Sequence, residues 1–437
     1  YTLSLHDALP ILLSYFLQTL YGMADLFITG QFYGVDTITA VSNGSQIMHM
    51  MTVIIVGLAM GTTVTIGHSV GAKCMEQAEK IIGNTITLFM GIAVAFTVIL
   101  VVLVKPIVVL IATPQEAVAG TSIYLLICFI GIPFITAYNI ISSIFRGLGD
   151  SKSPMYFIGI ACVMNIALDY LFMGAFHMGA AGAALGTVCA QTFSVLVALW
   201  VIRRRKTGIS LKKSDFKIER AVIGQVLKIG IPVALQDGFI QVAFMIITVI
   251  ANSRGVSDAA AVGVVEKVIS ALFIVPSSML ATVSALSAQN LGAGKEKRAT
   301  DTLHYATVIT TIYGMIVAVL IQFIAENVVG IFTSDTTVVT MGSAYIRSYI
   351  WDCIFAGIHF SFSGYFAACG KSYIGFLHNI ISITFVRVPG SYLASKYFTD
   401  TLYPMGLAAP AGSLVSVAIC VTAFILLKRK SRVAQTA

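Results

Sequence analysis

A chain of 437 residues that is 57% hydrophobic and only 11% charged, with a mean hydropathy of +0.91, falls outside the range of soluble globular proteins and reads as an integral membrane protein. Its formal charge of +8 is gathered in a few loops, so it reads as a membrane-topology signal with some attraction to anionic headgroups and not as a nucleic-acid footprint. Seven cysteines without a CxxC pair and seven histidines without HExxH or similar spacing argue against a disulfide framework, a structural metal and a metalloenzyme.

Apolar stretches of about 20 residues or more repeat along the chain, as spanning helices require and the short alternation of outer-membrane barrels does not. Twelve spans are expected, at 10–33, 40–66, 81–105, 119–147, 154–174, 179–202, 224–252, 259–288, 300–324, 338–368, 371–397 and 404–428. The lead-in YTLSLHDALP lacks an initiator Met and the order of a signal peptide, and is expected to be a truncated or foreign start. The first span carries Asp25 in YGMADLFITG. Pro133 in the fourth span and Pro276 in the eighth remove backbone hydrogen bonds and predict kinks. Gly147, Gly149 and Pro154 break the chain before the fifth span, and Tyr403 and Pro404 before the twelfth.

The basic residues settle orientation. Lys73, Lys80, Arg146, Lys152, the segment RRRKTGISLKKSDFKIER (203–220), Lys295, Lys297, Arg298, Lys371 and the tail KRKSR all fall on one side, with little beyond Lys105, Arg254 and Lys396 on the other. Cytoplasmic loops are enriched in Lys and Arg, so both termini are expected in the cytoplasm of a cell-membrane protein. Three pairs of short segments also repeat at one offset: VGAKCMEQA with LGAGKEKRA, YGVDTITAV with RGVSDAAAV, and LGDS with CGKS, each 221 residues apart. Six spans separate the copies, an even number, so the halves are parallel repeats. The expected architecture is all-α: two six-helix lobes, 1–202 and 221–437, joined by the basic linker 203–220.

Polar residues within spans are costly, about 2.5–3.5 kcal/mol for an aspartate at the bilayer centre on insertion scales, so they mark candidate sites. Four stand out in the first half: Asp25, Asn165 and Asp169 in NIALDYLFMG, and Thr187 in GAALGTVCAQ. Asn165 and Asp169 share one helix face through their spacing of four. Together the four offer carboxylate, amide and hydroxyl oxygens suited to a proton or a sodium ion; the alternative is a structural hydrogen-bond network. The second half does not copy the cluster. Asp25 falls on Ile246, Asn165 on Arg387 when the alignment slips by one, Asp169 on Ser391 and Thr187 on Leu414. That half has its own polar residues, Gln236, Asp237, Gln241, Glu266, Lys267 and Asp352. Helix-to-helix charge pairing competes there with a substrate role. Tyr21, Met23, Met48 and Met51, with Asp237, Gln241 and Asp352, are the candidates for an adaptable substrate cavity, because thioethers and rings accept varied apolar cations.

These features resemble the MATE (multidrug and toxic compound extrusion) family, and most of all its DinF-type branch. The likeness rests on the six-plus-six plan, ADLFITG, GAK and GAG at corresponding loops, FRGLGDSKSP, NIALDYLFM and MGAAGAALGT. It implies a V-shaped pair of lobes exporting cationic amphipathic small molecules by alternating access, in exchange for protons or sodium, with no other cofactor. It also implies that Asp25, Asn165, Asp169 and Thr187 form the coupling site. The other branch places an acid in the seventh span near where Gln241 stands, which leaves a second-lobe cation site in doubt, although Asp352 matches a tenth-span acid. The expected protein is a monomeric antiporter and not an enzyme. The rivals are a lipid or lipid-linked oligosaccharide flippase, which would want a more cationic cavity, a membrane enzyme acting on lipid-linked substrates, and a channel. No GxxxxGK[ST] motif is present, so ATP is not expected to drive transport directly.

Overall fold

The computed structural model describes residues 5–111, 113–204 and 210–436. Arg205 and Lys206 of the basic linker lie outside them. The first half comprises α1 (Leu5–Phe32), α2 (Val35–Gly71), α3 (Met75–Leu110), α4 (Gln115–Leu148), α5 (Lys152–Asp169) continued by a π-helical turn (Tyr170–Ala175), and α6 (Gly179–Arg204). A 3-10 turn (Lys213–Phe216) in the linker precedes α7 (Arg220–Asn252). There follow α8 (Val256–Leu272), α9 (Ile274–Gly292), α10 (Glu296–Gly330), α11 (Thr336–Tyr349), α12 (Asp352–Ala368), α13 (Tyr373–Ser382), a second π turn (Ile383–Arg387), α14 (Val388–Tyr397) and α15 (Tyr403–Thr436).

Counting α5 with its π turn, α8 with α9, α11 with α12, and α13 with α14 as single passes, the described chain makes twelve helical passes, of which nine, or ten with the bent α4, are long and apolar enough to cross a membrane. The helices form because lipid offers the backbone no hydrogen-bond partners, so each span must satisfy its own. Their breaks have local causes. α4 bends by 52° between Ile130 and Ile132, beside Pro133, and the eighth pass breaks at Phe273, three residues before Pro276. α4 ends on Gly149 at φ 91, a left-handed position that a side chain would strain.

The chain forms two compact units. One spans Leu5–Ala234 with Gly292–Gly294, and the other spans Leu235–Leu291 and Lys295–Ala437. In the first unit, Ile28, Val41, Tyr124, Phe129 and Met173 build the core. There α2 and the start of α7 cross with backbones nearly touching. A Cβ at Gly61 would strike the Val226 carbonyl, one at Gly57 would lie 2.7 Å from the Ala234 Cα, and one at Gly230 would strike the Leu58 carbonyl. Small residues four apart on both helices, Gly57 with Gly61 and Gly230 with Ala234, permit that approach, the usual route to close packing where lipid offers no hydrophobic drive. The second unit's core gathers Val262, Val265, Tyr345, Ile346, Tyr349 and Met405.

Candidate functional site

Three helices of the first unit bring the four polar residues together. Asp25 on α1, Asn165 and Asp169 on α5, and Thr187 on α6 are all buried. Thr187 Oγ1 donates to Asp25 Oδ2 at 3.1 Å across 162 residues of chain. Asp169 and Asn165 also lie within interacting reach of Asp25. Neither closes a hydrogen bond of good geometry. Asp25 Oδ1, both amide atoms of Asn165 and both oxygens of Asp169 are buried without such a partner in the protein.

The surroundings explain how the chain holds this arrangement. Gly186, next to Thr187 on α6, lies directly over the pair on α5: a Cβ there would strike Asp169 Oδ1 and come within 3.5 Å of Asn165 Nδ2. The Tyr33 hydroxyl at the end of α1 donates to the Met173 carbonyl in the π turn at 3.0 Å and accepts from the Gly179 backbone N–H at 2.9 Å. One phenol thus ties α1, the turn after Asp169 and the start of α6 together. Thr29 adds a bond from its hydroxyl to the Asp25 carbonyl at 2.6 Å and a contact to Met173 Sδ at 3.5 Å. Tyr21 Oη reaches the Thr187 carbonyl at 3.4 Å, so this cavity candidate borders the cluster.

Electrostatics gives the site its chemistry. Two carboxylates facing each other in a water-poor interior repel strongly, and no Lys or Arg is paired with either among the described residues. A proton or a small hard cation removes that repulsion. Five buried polar atoms without a hydrogen bond, four of them oxygens, suit such a guest. No group of three or more metal-ligating side chains of the His, Cys, Asp and Glu type occurs among the described residues.

The remaining candidates are not gathered here. Met23 is 58% exposed on α1, whereas Met48 is packed in the core of the first unit and Met51 is half-buried. For Met48 the reason is its place on the inner face of α2, among the residues around Tyr124. Asp237, Gln241 and Asp352 belong to the second unit; Asp237 and Gln241 are half-buried and Asp352 is buried. That unit holds a different polar group. Arg387, buried in the second π turn, donates to the Tyr349 hydroxyl and lies over Phe244 at 5.0 Å. Glu266 accepts from Thr248 at 3.3 Å and, like Asp352, lies within the electrostatic reach of Arg387. Lys267 is exposed, so Glu266 takes its cationic neighbour from another helix. Sequence reasoning does not reach Gly186 or Tyr33. Only the run of small residues in GAAGAALGT signals the first, and nothing local signals the second.

The family model described as MatE matches residues 10–171 and again 232–393. The chain belongs to the MatE family. The two matched segments begin at 10 and 232, 222 residues apart, which confirms the internal repeat and favours the slipped alignment of Asn165 with Arg387. Among curated relatives, the "Probable multidrug resistance protein YpnP" of Bacillus subtilis is 29% identical, covering 92% of this chain and 89% of its own length. "Probable multidrug resistance protein YoeA" of the same organism is 26% identical, covering 93% and 90%. A solved structure described as the outward-facing conformation of a multidrug resistance MATE family transporter superposes with a TM-score of 0.90 at 19% identity, covering 98% of this chain and 95% of that one. The fold is therefore that of MATE transporters, all-helical with two repeated lobes.

Proposed function

We propose that this MatE-family chain is a secondary antiporter that exports cationic amphipathic compounds across the cell membrane in exchange for protons or sodium ions. The observation that carries this reading is the meeting of Asp25, Asn165, Asp169 and Thr187 at one buried point on three helices. The names of YpnP and YoeA, and of the "Multidrug export protein MepA" of Staphylococcus aureus at 22% identity, support drug export as the transported class. We assign the chain to the DinF-type branch on the same four residues. The lobes are taken as 1–202 and 221–437 with the linker 203–220 between them.

In this mechanism the ion enters from outside, relieves the repulsion between Asp25 and Asp169, and stabilises the form that has released its cargo. Coupling requires only that the ion bind one conformation better than the other; typical differences are about 1–3 kcal/mol. Asn165 supplies an amide oxygen or N–H to either protonation state, and Thr187 holds Asp25 in place. Transport needs no covalent chemistry and no cofactor beyond the ion. Tyr21 and Met23 on α1 offer an aromatic and a thioether surface to an apolar cation.

Asp169→Asn tests the site: it keeps the size and polarity of the side chain and removes its charge. Drug efflux in everted vesicles is expected to be abolished at unchanged expression, and unchanged efflux would sink the assignment. Proteoliposomes given first a proton gradient and then a sodium gradient identify the ion. Saturable, gradient-driven uptake marks an antiporter, whereas non-saturable flux in both arms would mark a channel.

A further inference from the structure

The linker from Ser210 to Arg220 is held as a platform against α3. The Ser210 N–H donates to Glu79 Oε1 at 2.6 Å, and Thr87 Oγ1 donates to the Phe216 carbonyl at 2.9 Å. Asn84 does the most: its Nδ2 donates to the Asp215 carbonyl at 3.1 Å, and its Oδ1 accepts from the Glu219 N–H at 2.7 Å. Gly83 lets the linker come this close, since a Cβ there would collide with the Asp215 carbonyl. Neither Tyr305 nor Ala306, the residues 221 and 222 further on, supplies an amide, so the clasp belongs to the first repeat alone.

The clasp sorts the side chains. Asp215 is buried, and its Oδ2 accepts from the Lys212 N–H at 2.7 Å, which hides that acid from the surface. Lys212, Lys213, Lys217 and Arg220 are all exposed, with Glu219 as the one exposed acid among residues 210–220. Three large apolar side chains of the same segment are exposed as well: Leu211 at 39%, Phe216 at 38% and Ile218 at 61% exposure. In bulk water that mixture leaves apolar area uncovered. At a membrane interface the apolar groups enter the boundary of headgroups and acyl chains while the cations meet phosphates. Trp200, 58% exposed near the end of α6 with the Arg204 guanidinium 5.2 Å over its ring, is the aromatic type found at headgroup level, and it stands ten residues before Ser210 in the sequence.

We propose that residues 211–220 form an interfacial docking surface for anionic lipid headgroups, with Phe216 and Ile218 inserted and Lys212, Lys213, Lys217 and Arg220 on phosphate groups. This assignment does not rest on the transport reading, and its test needs no transport. A Phe216→Trp variant, with Trp200 and Trp351 changed to Phe, is placed in liposomes that contain dibrominated phosphatidylglycerol or, separately, dibrominated phosphatidylcholine. The introduced indole is then the sole tryptophan fluorophore. Its quenching by the anionic lipid is expected to exceed that by the zwitterionic lipid at least about twofold, since each basic residue near an anionic surface adds to the attraction. The excess is expected to shrink in high salt and to vanish in a Lys212→Gln, Lys213→Gln, Lys217→Gln variant. Equal quenching by the two lipids, or none by either, overturns the proposal. That comparison keeps the basic residues of the platform intact, so it stands even if the triple variant fails to fold.

Discussion

At the scale of single residues, the candidate site depends on one position that carries no chemistry. Gly186 has no polar side chain, yet its missing Cβ is what allows α6 to lie over Asp169 and Asn165. A Gly186→Val change is expected to push the Asp169 carboxylate aside, abolish efflux and lower stability by about 1–3 kcal/mol, the usual range for overpacking. Efflux and thermal unfolding in detergent measure the two effects; normal efflux from Gly186→Val would mean that the carboxylate position is unimportant. The spacing of Asn165 and Asp169 is readable in the sequence because a helix puts residues four apart on one face. Gly186 is not, because a close approach depends on which helix lies opposite.

At the scale of elements, the two π turns and the helix ends show where tertiary bonds shape the backbone. The turn Tyr170–Ala175 follows directly on Asp169 and is fastened by Tyr33, an arrangement in keeping with the frequent placement of π turns at functional sites. Arg254, in the sequence a stray cation on the sparsely charged side, is a structural anchor. Its Nε pairs with Asp258 at 2.6 Å, and its guanidinium donates to the carbonyls of Ser395, Phe398 and Thr399 at 2.9 Å each. These bonds cap the end of α14, where helical carbonyls have no partner of their own. Arg254→Met is expected to cost about 1.5–3 kcal/mol, the range for a hydrogen bond to a charged group, and to lower the unfolding midpoint while expression persists. A midpoint equal to that of wild type would show that water caps α14 equally well. The bends at Pro133 and near Pro276 follow from the sequence because proline acts on its own helix.

At the scale of the whole molecule, duplication set the plan but did not copy the chemistry. At an offset of 222, Asn165 meets Arg387 and Asp169 meets Ser391, so a built-in guanidinium stands in the second unit where the first has a neutral amide. The distribution of Lys and Arg still predicts one orientation for both halves. A fluorescent protein fused to the C-terminus is expected to fluoresce and a phosphatase fused there to stay inactive; an active phosphatase would reverse the topology. Hydropathy marked nine or ten of the twelve passes, loop charge the expected sidedness and the repeated segments the two-fold plan, because each is written in residues that act locally or in bulk. That Asp25 and Thr187 touch across 162 residues, that Asn84 clasps the linker, and that Met48 is core emerged only from the packed helices. Such contacts depend on which faces meet, and a helix's own pattern does not say which neighbour it will find.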